Sequence, residues 1–165
     1  MNYFKHPTAI VSSKAKIGTG TKIWAWVQIR ENARVGKNCI LGNGVYIDSG
    51  VKIGNQVKIE NKSCIFKGVT LENEVFIGPH VCFTNDKNPR AADKKGNLIL
   101  SGQWKMSKIL VKKGASVGAN STVLPNVTIG QYAMIGAGSV VTKSVPSYSL
   151  VFGNPAQIHG KADKE

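Results

Sequence analysis

The side chains best suited to general-base work at neutral pH are three histidines, His6, His80 and His159. His6 stands close to the N-terminus and His159 close to the C-terminus, so only His80 occupies a central stretch. A catalytic zinc would need three such ligands converging, and this spacing does not offer that arrangement. The three cysteines, Cys39, Cys64 and Cys82, follow no zinc-ligand pattern. Their odd number, without a secretory leader, argues against a disulfide framework and for small buried or half-buried residues. No bound metal is expected.

Charge supplies the second clue. Lysine and arginine number 22 against 9 aspartates and glutamates, a net charge of +13. Such a balance draws polyanions: nucleic acid, a nucleotide diphosphate or coenzyme A. Neither a nucleic-acid recognition motif nor an aromatic stacking platform is present, so nucleic acid is not the expected partner. Part of the positive charge sits in a polar, turn-rich stretch within residues 84–110, which carries Lys87, Arg90, Lys94, Lys95, Lys105 and Lys108 along with Trp104. A loop of that length inside a compact domain is usually functional. It reads as an arm that reaches a neighbouring subunit and helps wall a site for anionic ligands.

What must position these groups is a repeat of period six. An aliphatic residue recurs at Val11, Ile17, Ile23, Ile29, Val35 and Leu41, and the series continues to Ile77, with Phe83 in the next place. Four residues after each stands a small or β-branched one, such as Ala15, Thr21, Val27 or Ser63. The pattern lapses after Phe83 and resumes from Val111 to Val141. Each hexapeptide supplies one short strand and one turn, and three close a triangular coil. Successive coils pair in parallel, about 4.8 Å apart, and bury the aliphatic column. Helix is excluded, because this period does not trace a 3.6-residue face. Glycine often follows the aliphatic, as at Gly18, Gly36 and Gly54, and is expected to permit the turn angles.

Several segments, above all Phe83-Thr84-Asn85-Asp86-Lys87-Asn88-Pro89-Arg90, together with His6-Pro7-Thr8-Ala9-Ile10-Val11, Val75-Phe76-Ile77-Gly78-Pro79 and Gly153-Asn154-Pro155-Ala156, resemble a known family. It is the hexapeptide-repeat N-acetyltransferases that acylate the 3-amino group of nucleotide-linked 3-amino-3-deoxy sugars during assembly of bacterial surface polysaccharide. The resemblance covers nearly the whole chain. It implies an all-β, left-handed parallel β-helix with one extruded loop, a homotrimer with sites between neighbouring prisms, and acetyl-CoA as cosubstrate. It also implies roles. Asn85 would lie beside the reacting amine, with no dedicated base. Ala119 and Ala137 would let the pantetheine arm approach the backbone, Lys143 would meet a phosphate, and Pro155 would lie by the adenine. For the nucleotide sugar the candidates are Arg30, Glu60 and Arg90, with dTDP preferred and UDP open. A usable neutral fraction of a sugar amine exists near pH 7, so positioning against an activated thioester can supply much of the catalysis. Other branches of the superfamily use a histidine base, and for an acceptor such as serine, a free sugar or an antibiotic His80 would take that part.

The 165 residues fit one domain, expected as a β-helix over 1–150 with its loop at 84–110, followed by a tail at 151–165. No apolar run is long enough to span a bilayer. Residues Met1 to Pro7 lack the apolar stretch of a signal peptide, so a cytoplasmic protein without membrane insertion is expected.

Overall fold

Two- and three-residue strands alternate with connections of mostly four residues along most of the chain, and no helix occurs among the described residues. The computed structural model describes residues 2–100 and 102–162. Strands three apart in sequence are hydrogen-bonded neighbours, so the chain winds into three parallel sheets around one core. Lys58–Ile59, for example, pairs with Ile40–Leu41 on one side and Phe76–Ile77 on the other. This is the left-handed parallel β-helix of hexapeptide repeats, its coil expected from the period and its hand from the resemblance. We call the nine-stranded sheet that begins with Phe4–Lys5 face A, the seven-stranded sheet from Ile10–Val11 face B, and the six-stranded sheet from Lys16–Ile17 face C. The chain visits A, B and C in turn. The corners between them are edges AB, BC and CA.

The two apolar positions of each hexapeptide make the core. Ile23, Leu41, Ile59, Ile77, Val117 and Ile135 stack under face A, and Ile47, Ile65, Phe83 and Val123 under face B, each at most 1% exposed. Burying one such side chain contributes about 1.5–3 kcal/mol. Four hydroxyls share this core without loss. The Thr21, Ser63 and Ser121 hydroxyls donate to the carbonyls of Gly36, Gly78 and Gly136, and they accept from the N–H groups of Cys39, Val81 and Ser139 in the next coil. Ser139 donates to the Gly136 carbonyl at 2.6 Å.

The glycines that follow the aliphatic residue work differently from the expectation. They do not carry the left-handed turn angle; the third turn residue does, whether glycine or not, as at Trp26 (φ 61), Asn38 (φ 55), Glu74 (φ 62) and His80 (φ 57). Gly18 and its successors are glycine because coils approach closely. A Cβ on Gly18 would stand 2.5 Å from the Gly36 carbonyl carbon, and one on Gly118 would stand 2.5 Å from Ala137 N.

Two features interrupt the stack. After Cys82–Phe83 the chain leaves the coil and returns to it at Ile109–Val111. The excursion closes on itself where Ser107 N–H donates to the Asn85 carbonyl at 2.9 Å. Within it, Ala92 bridges Leu98 in antiparallel fashion, and Asp93 accepts from the N–H groups of Lys95 and Asn97. The expected boundary at residue 150 falls inside the strand Ser149–Gly153, which continues face A. That strand then pairs with Ala156–Lys161 as an antiparallel hairpin. Of the expected tail, residues 163–165 lie outside the described residues.

Candidate active site

Because both apolar positions of each hexapeptide point inward, polar chemistry is confined to the edges and to the single outward residue of each strand. Residues in successive coils stack along an edge, so position in the repeat decides which groups can meet. Edge BC carries, in order, Arg30 and Glu31, Asp48 and Ser49, Phe66 and Lys67, Thr84 and Asn85, and two coils later Lys143. Edge AB carries Glu60, then His80, then Ala119 and Ala137, and ends near Pro155 in the turn of the terminal hairpin.

Asn85 is half-buried where the loop departs. Its Nδ2 donates to the Lys67 carbonyl at 3.1 Å. At other edges that acceptor is filled by a backbone N–H of the next coil, as His80 N–H fills the Asn61 carbonyl and Glu74 N–H that of Asn55. Departure of the loop removes the regular donor, and the Asn85 amide replaces it. The amide is therefore turned with its nitrogen toward the coil, leaving Oδ1 as the free-facing acceptor. Asn55, Asn61 and Asn73 occupy the same turn position and are turned the opposite way. Each accepts through Oδ1, at 2.8 Å, from an N–H of the preceding coil: Lys37, Asn43 and Asn55 respectively.

Below Asn85 on the same edge runs a polar string that sequence reasoning missed. Asp48 Oδ2 accepts from Lys67 N–H at 3.1 Å. Its Oδ1 accepts from Ser49 N–H at 2.7 Å and from the Tyr46 hydroxyl at 3.2 Å. Burial pushes the Tyr46 phenol up from its ordinary pKa, and the Asp48 charge adds to this, so the hydroxyl stays a donor at neutral pH. The Tyr46 ring lies 5.8 Å from that of Phe66. Arg30, a candidate sugar contact, pairs with Glu31 at 3.0 Å and reaches the Tyr46 hydroxyl at 3.5 Å. Asp48 and Phe66 hold the first turn position, which the other edges fill with glycine at Gly36, Gly42, Gly54 and Gly78 but with charge at Glu60 and Glu72, so residue type alone did not single them out.

The remaining candidates divide between edges. His80 is exposed on edge AB, a full face away from Asn85, and one chain does not bring the two together. Glu60, one coil before it, pairs with Lys58 at 3.0 Å. Ala119 and Ala137 stack beyond His80, each directly after a glycine, Gly118 and Gly136, at which a Cβ would collide with the next coil. Lys143 lies on the other edge, apart from Ala119, Ala137 and Pro155. Arg90 is exposed in the loop, its Nη1 donating to the Pro89 carbonyl. On face C, beside edge BC, lies a shallow groove of about 410 Å³ lined by Gly68, Thr70, Lys108, Leu110, Asn126 and Thr128.

The cysteines supply no nucleophile. Cys39 is buried, and Cys64 and Cys82 are half-buried outward neighbours on face B; burial pushes all three thiols up. Among the described residues no three His, Cys, Asp or Glu side chains group to hold a metal ion. His159 stacks on Phe152 with ring centroids 3.6 Å apart. No helix of the structure is long and apolar enough to cross a membrane, among the described residues.

Known proteins bear on this geometry. Residues 14–49 and 108–143 match the bacterial transferase hexapeptide (six repeats) family. The dTDP-3-amino-3,6-dideoxy-alpha-D-galactopyranose 3-N-acetyltransferase of Aneurinibacillus thermoaerophilus is 46% identical over 157 residues, spanning 95% of this chain and 77% of that protein. Among solved structures, AntD of Bacillus cereus, an N-acyltransferase held with dTDP-4-amino-4,6-dideoxyglucose and coenzyme A, superposes with a TM-score of 0.60. It is 21% identical, over 98% of this chain and 84% of that one. PerB of Caulobacter crescentus, solved with CoA and GDP-perosamine, gives a TM-score of 0.58 at 23% identity, over 97% of this chain and 58% of that one. The chain belongs to the hexapeptide-repeat bacterial transferases, in the branch of acetyl-CoA-dependent sugar N-acetyltransferases.

Proposed function

We propose that the protein transfers the acetyl group of acetyl-CoA to the 3-amino group of a nucleotide-linked 3-amino-3-deoxy sugar, dTDP-linked in preference to UDP-linked, for synthesis of surface polysaccharide in the cytoplasm. The observation that carries this reading is the turned amide of Asn85: with Nδ2 committed to Lys67, Oδ1 is left to accept from an amine. The name of the Aneurinibacillus relative supports the 3-amino acceptor and the dTDP carrier. The neutral amine attacks the thioester carbon, the C–N bond forms and the C–S bond breaks. The amine's excess proton leaves with the coenzyme A sulfur, so no protein base is required.

Division of the candidates between two edges supports a homotrimer. Ala119, Ala137 and Pro155, the donor side, lie on edge AB, whereas Asn85, Arg30 and Arg90, the acceptor side, lie on edge BC or in the loop beside it. Edges a full face apart meet only when edge AB of one copy faces edge BC of the next, a heterologous contact that a threefold axis closes. In that arrangement Lys143 and Glu60 each approach the half of the site carried by the neighbouring copy, and the basic loop overhangs the phosphates.

A second reading has one observation in its favour. His80 shares edge AB with Ala119 and Ala137, so a donor bound there would lie close to an exposed imidazole. That would suit a hydroxyl acceptor, such as serine or a free sugar, which needs a base. Thiol release from acetyl-CoA, measured with a dTDP-linked and a UDP-linked 3-amino sugar, a free sugar and serine, decides between them. Turnover restricted to a nucleotide-linked amino sugar upholds the first reading; turnover only with serine or the free sugar overturns it.

A further inference from the structure

We infer that Asp48 is a positioning residue that sets the orientation of the Asn85 amide, acting through the main chain of Lys67. This rests on the role proposed for Asn85 and names what makes that role possible. Four asparagines of this chain sit at the second turn position with a side-chain bond to the preceding coil, and in three of them Oδ1 is used up on an N–H of that coil. The N–H that Asn85 would take in the same way belongs to Lys67, and Asp48 Oδ2 already holds it. With the donor occupied and the neighbouring carbonyl vacant, the amide gains its hydrogen bond only by presenting Nδ2 to that carbonyl. Oδ1 is thereby left for substrate. Both oxygens of Asp48 are engaged, Oδ1 by Ser49 N–H and the Tyr46 hydroxyl, which holds the carboxylate in the rotamer that reaches Lys67.

Without the carboxylate, Lys67 N–H is freed and the Asn85 amide flips to accept from it, as its three counterparts do. Oδ1 is then withdrawn from the amine. A turn bond of the same form exists on edge CA, where Glu72 Oε2 accepts from Lys113 N–H at 2.8 Å, so Glu72→Ala controls for the loss of such a bond alone.

The test measures kcat and KM for acetyl-CoA in Asp48→Ala, Asp48→Asn, Glu72→Ala, Asn85→Ala and the Asp48→Ala/Asn85→Ala double variant. Asp48→Ser, one bond too short to reach, stands in if Asp48→Ala does not fold. Expected is a fall in kcat of roughly tenfold or more in Asp48→Ala with KM for acetyl-CoA unchanged. Asp48→Asn, which keeps one acceptor oxygen where the carboxylate uses two, recovers part of the rate. Glu72→Ala is unaffected, and the double variant is no slower than Asn85→Ala. A strong Asn85→Ala defect beside a wild-type Asp48→Ala rate overturns this inference and leaves the proposed function standing. So do multiplicative losses in the double variant. A wild-type rate in Asn85→Ala removes the role of Asn85 and this inference with it.

Discussion

Replacing Asn85 with alanine separates two jobs that one side chain performs. Its Nδ2 bond to the Lys67 carbonyl fastens the root of the loop to the coil, and its Oδ1 is the acceptor offered to the amine. The first loss is small. The bond is a neutral one at a half-buried site, contributing about 1 kcal/mol, and the melting temperature should fall by about 3 °C. The loop keeps its second anchor, the Ser107 N–H to Asn85 carbonyl bond, which the substitution does not touch. The second loss is large. Removing a group that aligns the amine in the transition state costs about 2.7 kcal/mol, or roughly 10²-fold in kcat. KM for acetyl-CoA should barely change, because the Asn85 side chain bonds to the Lys67 carbonyl and to none of Ala119, Ala137, Lys143 or Pro155. Steady-state thiol release and a thermal melt on the same preparation read the two effects independently. A rate within twofold of wild type, with the small stability loss in place, would refute the assignment and leave Asn85 as the cap of an interrupted ladder.

Other perturbations follow from the same geometry. His80→Gly removes a side chain from a backbone at φ 57, so it should stabilise the fold by about 1 kcal/mol and retain most activity; a hundredfold loss would make the histidine the base. Gly118→Ala drives a Cβ to 2.5 Å from Ala137 N and should destabilise by about 1–3 kcal/mol, seen as a lower denaturant midpoint. An unchanged midpoint would mean the coils can part there at no cost. Ser63→Ala strands the buried Val81 N–H and should cost about 1–3 kcal/mol in the same experiment, against no change if the hydroxyl were dispensable.

Much of this structure was legible in the sequence because the repeat is strict. The positions of Ile23 through Ile77 and of Val111 through Val141 announced strand, core and coil, and the lapse after Phe83 marked the loop. The meaning of the glycines was less accessible. Period alone does not distinguish Gly18, which is glycine for lack of space, from Gly20, which has φ +76. Separation of His80 from Asn85 follows from the triangular coil, since residues five apart at a corner end on different edges, although they look adjacent along the chain. Asp48 stayed hidden for another reason. Its effect depends on which hydrogen bond of Lys67 is already occupied, and a one-dimensional pattern holds no record of that.

The most direct measurement is the product of one reaction: purified protein, acetyl-CoA and dTDP-3-amino-3,6-dideoxygalactose, followed by mass spectrometry and NMR of the nucleotide sugar. The expected product is a nucleotide sugar heavier by one acetyl group, carried on the nitrogen at C3. An acetyl group on oxygen, or an unchanged nucleotide sugar beside protein that acetylates serine or a free sugar, would contradict it.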